Sequence, residues 1–330
     1  MANGNFIISL DFELHWGGVE LWDLNKKKEY FLNTREAIPR MLQLFEKYEI
    51  HVTWATVGFL FAKNLNQLKE FIPKEKPTYE NKKLNYYSLF ENNMVGSDEQ
   101  VDPFHFAVSL IDKIIKTPYQ ELASHTFCHY YCNEKGQNSN QFEADIKAAQ
   151  KIANKNFGID LKSLVFPRNQ FNKSYLEVAQ QNGIQVFRSN PNVWFWQKDF
   201  GMLTPIFRAL DTLFPISKSL SFFENEIIYE NNMVQLPASR FFRPFVKKER
   251  IIRKIKLNRI INEMTFAAKN NKIYHLWWHP HNFGDAVNEN LEDFEIILKH
   301  YIVLKQQYVF ESKSMGSFVN SLYFESTIKN

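Results

Sequence analysis

The hydrophobic positions of this chain fall into short apolar runs, each ending on a polar or ionisable residue. Phe6-Ile7-Ile8-Ser9-Leu10 ends on Asp11 and reads as a buried strand that delivers polar side chains at its C-terminal end. Residues 34–45 show helical spacing, with Ile38, Met41, Leu42 and Phe45 on one stripe, Thr34 as cap and Pro39 in the first turns. Residues 51–57 form a second strand, so the opening is β-α-β, the unit of a parallel sheet. The pattern recurs. A strand at 121–124 leads into His125, a helix covers 140–157, and a strand at 164–166 ends at Pro167-Arg168-Asn169. A helix at 174–182, strands at 185–188 and 272–278, a helix at 292–305 and a last strand at 309–310 complete the series.

Strands that each end on an ionisable residue predict an α/β fold of the distorted (β/α)-barrel kind, with parallel strands and the chemistry at their C-terminal ends. A doubly wound sheet shares the pattern, but no Gly-rich dinucleotide fingerprint follows the first strand. Residues 64–118 are the least regular, with Pro73, Pro77 and Pro103, and read as an insertion or capping region. No repeat or long linker divides the chain, so 1–330 is expected to be one domain.

Composition changes this picture little. Aromatic residues make up 16%, including 31 Phe, enough to line a cleft as well as fill a core. A net charge of +4 is too mild to argue for nucleic acid. Cys128 and Cys132 match neither a disulfide framework nor a zinc knuckle. The chain shows no leader-like segment and no spanning apolar run, which predicts a soluble, cytoplasmic protein. The stretch from Arg240 to Arg259 interleaves Arg and Lys with Phe and Ile. Its plain reading is a solvated helix face. The sharper reading is peripheral contact with an anionic lipid at the inner face of the membrane, or with a carrier phosphate.

Three clusters carry candidate chemistry. Asp11 and Glu13 stand two apart at a strand end, so both carboxylates face one cavity. His125 and His129 stand four apart, a spacing that lets two imidazoles converge on one ion, although Thr126 occupies the place of a zinc-peptidase Glu. His275, His279 and His281 follow an apolar strand together with Asn282, which supplies one His beyond a ligand set for proton donation. Arg168 at another strand end can hold a carboxylate, and Trp194 and Trp196 offer aromatic surface to a sugar.

In order along the chain, these motifs resemble those of the polysaccharide deacetylase (NodB-type) family. Ser9-Leu10-Asp11-Phe12-Glu13 is similar to its acidic motif in a spaced form. His125 and His129 are similar to its His-x-x-x-His motif, Phe166-Pro167-Arg168-Asn169 to its Arg motif, and Leu276-Trp277-Trp278-His279 to its final motif. Thr34-Arg35-Glu36 with the following Pro-containing helix also resembles the branch that deformylates a lipid-linked aminosugar. The resemblance implies a hydrolase that removes an N- or O-linked acetyl or formyl group from a sugar of a glycan or a lipid- or nucleotide-linked precursor. Glu13, His125 and His129 would hold a divalent metal, Zn²⁺ first, with Co²⁺, Ni²⁺ or Mn²⁺ as alternatives. Asp11 would be the base, steadied by Arg168, and His279 the acid. Backbone N–H groups near Asn169 would serve the oxyanion, and Asn169, Trp194, Trp196, His281 and Asn282 would contact substrate. The competing readings are a glycoside hydrolase on a related barrel and an inactive glycan-binding protein.

Overall fold

In a computed structural model, β1 (Gly4–Phe12) is buried along its whole length and its two faces do different work. The structure describes residues 3–197, 211, 219–230 and 232–328. Phe6, Ile8, Leu10 and Phe12 point to the helical layer and join the main core. Ile7 points the other way, into a second core with Val165, Val186, Val234, Leu236 and Ile273. Because side chains alternate along a strand, Ser9 and Asp11 follow Ile7 up that inner face. The interior is apolar at the bottom and polar at the top.

Around β1 lie β2 (Val52–Thr56), β3 (Gln120–Ser124), β4 (Ser163–Val165), β5 (Val186–Ser189), β6 (Ile228–Glu230), β7 (Met233–Pro237), β8 (Arg240–Phe241), β9 (Ile273–Trp278) and β10 (Phe310–Lys313). The sheet order is β6-β7-β5-β4-β3-β2-β1-β9-β8, with β10 also on β1. All pairings are parallel except β6 with β7. The sheet curls. Ala238 N–H bonds the Ser189 carbonyl on β5 and Ser239 N–H bonds the His275 carbonyl on β9, so one short segment draws the two sides together. The expected (β/α)-barrel class is thus the observed one, as a curled half-barrel.

The described helices are α1 (Leu24–Lys47), α2 (Leu65–Phe71), α3 (Ser88–Glu91), α4 (Val108–Lys116), α5 (Ser139–Phe157), α6 (Lys173–Gln181), α7 (Trp194–Gln197), α8 (Arg253–Lys269), α9 (Val287–Gln307) and α10 (Met315–Ile328). From α10, Met315, Phe318, Val319 and Leu322 plug the apolar bottom of the barrel. No helix among the described residues is long and apolar enough to cross a membrane.

Three expectations change. α1 begins ten residues before Thr34, capped by Asp23, whose side chain accepts from Asn25 N–H. Thr34 is buried inside the helix and returns its hydroxyl to the Tyr30 carbonyl, and Pro39 sits in the helix interior. The Lys-rich first turns carry no full apolar stripe, which hid the start. Within 64–118, the first part is α2 and the last is α4, an ordinary crossover helix that packs on β3, and the residues between them are largely irregular apart from the single turn of α3. Nor is the 240–259 stretch one solvated helix face. Arg240 lies in β8, is buried, and pairs with Glu263 (2.6 Å) and Asp211 (3.1 Å).

Candidate active site

Asp11 and Glu13 leave β1 at the polar top of the barrel, each only 3% exposed. A buried carboxylate requires a partner, and the two have different ones. Arg188, from the middle of β5, reaches across the interior and donates Nη1 to Asp11 Oδ1 (2.6 Å) and Nη2 to Oδ2 (2.7 Å). Burial pushes the Asp11 carboxyl up, but Arg188, His279 and His125 outweigh it, so it ionises below the usual carboxylate range. Behind Arg188 stands a chain of hydrogen bonds. Ser9 Oγ accepts from Arg188 (3.1 Å) and faces His275 Nε2 (2.8 Å), whose Nδ1–H donates to the Pro237 carbonyl (3.0 Å). His275 is wholly buried, and burial first, then Arg188, pushes it down to about 3, so it stays neutral.

Glu13 faces imidazoles. His125 follows β3, and its Nδ1 lies 2.8 Å from the Val165 carbonyl, to which it must donate. In the neutral ring that leaves Nε2 bare, and this nitrogen sits 2.9 Å from Glu13 Oε1. His129 Nε2 lies 3.2 Å from the same oxygen. Two acceptors at such distance need a cation or a proton between them. Burial pushes His129 down, while the imidazoles hold Glu13 well below the usual carboxylate range despite its burial. Anionic Glu13 with neutral His129 is the protonation state of a ligand set. The candidate ligand atoms of Glu13, His125 and His129 all lie within 4.8 Å of one another, and so do those of Asp11, Glu13 and His279. The donor set of the first group fits a divalent cation. In the second group Asp11 already has both oxygens on Arg188.

The backbone that presents these side chains is strained. Thr126 (φ 64°) and His129 (φ 60°) are left-handed without being glycine. The loop between the two His is held from below by Asp145 of α5, buried, which accepts the N–H groups of Phe127 (2.7 Å) and Cys128 (3.0 Å). Gly17 clears the other side, since a Cβ there would collide with the Glu13 carboxylate. Beyond it, His15 contacts His105 (2.9 Å), and His105 bonds Asp102 (2.7 Å), tying the turn after Glu13 to the irregular segment before α4.

His279 closes the site from β9, with Nε2 3.6 Å from Asp11 Oδ2 and 3.9 Å from Glu13 Oε1. It is a quarter exposed, the most open of the five central side chains. Asn282 orients it, with Oδ1 accepting the His279 backbone N–H (3.2 Å) and lying 3.3 Å from its Nδ1.

Several sequence expectations land elsewhere. Arg168 does not reach Asp11. Its left-handed backbone (φ 55°) turns it to Glu20 and Glu134. Asn169 N–H is taken by the Phe166 carbonyl and its side chain faces Arg188, so it is not an open oxyanion donor. His281 is buried, not on a substrate wall, and directs Nδ1 at Glu13 Oε2 (3.8 Å) with no hydrogen bond. Trp196 lies near Trp277 (6.4 Å), whose ring covers the Arg188 guanidinium (4.2 Å), while Trp194 is exposed on α7. Arg188, Ser9 and Asp145 were missed. The available signal was an arginine inside an apolar strand, which has to find a buried partner.

A model of the family described as polysaccharide deacetylase matches residues 28–187, just under half of the chain. Over those residues the chain is similar to the polysaccharide deacetylase family. The fold as a whole is shared with solved structures. An assigned polysaccharide deacetylase from Mycobacterium smegmatis superposes with a TM-score of 0.60 at 9% identity, over 98% of this chain and 92% of that one. An assigned polysaccharide deacetylase from Pseudomonas aeruginosa PAO1 gives 0.53 at 8% identity, over 95% and 88%. The 4-alpha-glucanotransferase of Thermococcus litoralis gives 0.55 at 13% identity, over 97% of this chain and 40% of that one. At such identities the likeness speaks for the fold alone. No curated protein matches the sequence. Asp11, Glu13, Arg188 and His279 lie outside the matched residues or just past their end, and the barrel brings them to His125 and His129.

Proposed function

We propose that the protein is a divalent-metal-dependent deacylase that hydrolyses an N- or O-linked acetyl or formyl group from a sugar. The observation that carries this is the pairing of a carboxylate faced by bare imidazole nitrogens with a second carboxylate clamped by an arginine. Glu13, His125 and His129 would hold the ion, Zn²⁺ first and Co²⁺, Ni²⁺ or Mn²⁺ as alternatives. Such an ion supplies Lewis acidity toward the acyl oxygen and toward the attacking water. Asp11, kept ionised by Arg188, takes the proton of that water. His279, oriented by Asn282, gives a proton to the departing sugar amine or hydroxyl. Trp277, over the Arg188 guanidinium, and Trp196 near it would offer the sugar an aromatic wall, which Trp194 would extend. The two carboxylates stand at the end of β1 and the acid just past β9, which supports 1–330 as one working unit.

A glycosidase reading needs two carboxylates about 5–9.5 Å apart on opposite sides of a sugar bond. Asp11 and Glu13 lie two residues apart at the same end of β1, and both are occupied by cationic or imidazole partners. The substrates in this reading are nucleotide- or lipid-linked sugar precursors in the cytoplasm. A panel of N-acetyl, N-formyl and O-acetyl sugars, assayed for released acid, tests it. Acetate or formate supports the deacylase, and a released sugar fragment refutes it.

A further inference from the structure

The basic stretch beside the site sorts its cations into two sets. On the inner side Arg253 pairs with Asp293 (2.6 Å) and Glu292 (3.1 Å), Lys256 with Glu249 (2.8 Å), and Arg259 with Glu263 (3.2 Å). On the outer side Lys247, Lys248, Arg250 and Lys254 are exposed, and among the described residues none has a carboxylate within ion-pair distance. Between them stand Val246 (43% exposed), Ile255 (48%) and Ile251, at 94% the most open large hydrophobic among the described residues. The exposed positions recur every three or four residues along a 3-10 turn (Lys247–Ile252) that runs into α8, which puts cations and aliphatics on one face.

Each half of this pattern selects among partners. Unpaired cations in a row call for an anionic surface. Nucleic acid is one such surface, but its phosphates give protruding isoleucines nothing to enter. The headgroup and acyl boundary of an anionic bilayer takes both. The face also adjoins a cavity that borders Asn282. That cavity, of about 520 Å³, is lined by Val246, Lys247 and Lys248 on one side and by Tyr30, Asn282, Asp285 and Glu289 on the other. Asn282 is the residue that orients His279.

We propose that residues 246–255 seat the protein on an anionic lipid bilayer, where a sugar borne on a membrane lipid reaches His279 through this cavity. The nature of the sugar's carrier rests on the deacylase reading above, whereas the docking face does not. Each cation at such a surface is worth roughly fivefold in partitioning.

The test is sedimentation of the full chain with vesicles of phosphatidylcholine alone, and of phosphatidylcholine mixed with phosphatidylglycerol. Binding to the mixed vesicles only, released by salt and weakened more than about tenfold in Arg250→Glu/Lys254→Glu, is the expected result. Ile251→Asp should weaken it independently of salt. Both variants should keep kcat/KM on a soluble acylated sugar, because none of these residues touches the site. Equal binding to both vesicles, or to neither, overturns the proposal. So does a dimer in ultracentrifugation that Ile251→Asp dissociates, or preferential binding of RNA or DNA. Vesicle binding without acyl release from any sugar would instead overturn the deacylase reading and leave the docking face standing.

Discussion

Asp11 at the end of β1 and Glu13 just past it stand two residues apart, equally buried, and their surroundings differ in kind. The Asp11 side is built by β5 and β9: a guanidinium takes both carboxylate oxygens, and Ser9, His275 and the Pro237 carbonyl hold that guanidinium in line. The Glu13 side is built by the loop after β3, where His125 and His129 aim ring nitrogens at one oxygen and His281 stands 3.8 Å from the other. An arginine is a permanent cation whose charge neutralises its partner and whose fork fixes its plane. Neutral imidazoles offer lone pairs, and a carboxylate among lone pairs is a place for a cation. In the proposed deacylase, the roles of the two acids follow from what crosses the barrel to meet them, not from their residue types.

Removing the cation from one side is the harshest way to break this contrast. Arg188→Met leaves Asp11 buried and unpaired, and should cost about 3–5 kcal/mol in denaturant unfolding. The pH profile sharpens the point. Asp11 ionises below the usual range in the folded protein, so the stability it contributes is present above the ordinary carboxylate pKa and lost as pH falls through the depressed value. Without Arg188 its pKa rises, and the acid limb of activity should move to higher pH. An unmoved limb in a folded variant would mean that Asp11 is not the base.

A smaller effect probes the chain behind Arg188. His275 has an ordinary value of 6.5 and is pushed down to about 3. The folded state keeps it neutral while the unfolded chain takes up a proton, so its stabilisation is full above the ordinary value and drains away as pH falls. Between about pH 6.5 and pH 5 the loss through this one group should be about 2 kcal/mol. Unfolding curves of His275→Gln should fall less steeply with acid, by one proton. The smallest effect belongs to Arg168. Its ion pairs with Glu20 and Glu134 are partly open to solvent, so Arg168→Ala should change stability by less than about 1 kcal/mol and leave the pH profile unmoved. A shifted acid limb there would restore the role its sequence position suggested.

That contrast between Arg188 and Arg168 also shows what the sequence could and could not convey. Runs such as Phe6 to Leu10 and Ile273 to Trp278 are readable because buried parallel strands are continuously apolar. The convergence of Asp11, Glu13, His125 and His129 is readable because barrel strands end on one face. Which arginine crosses the barrel is not a local property. Arg188 looks like one polar residue in a short strand, whereas Arg168 occupies the expected motif and is turned away by a left-handed backbone (φ 55°). The hairpin of β6 and β7 was missed because Met233–Pro237 is short and ends on proline. The early start of α1 escaped because its cap, Asp23, precedes charged turns instead of an apolar stripe.

The central claim is that Glu13 is the ligand and Asp11 the base. Calorimetric titration of the metal-free protein with Zn²⁺ tests it most directly, run on Asp11→Asn and Glu13→Gln alongside the unaltered chain. Asp11→Asn should bind Zn²⁺ nearly as well as the unaltered chain while losing about 10²–10⁴-fold in turnover, and Glu13→Gln should bind poorly or not at all. The reverse, with metal lost in Asp11→Asn and kept in Glu13→Gln, would contradict the account and exchange the two roles.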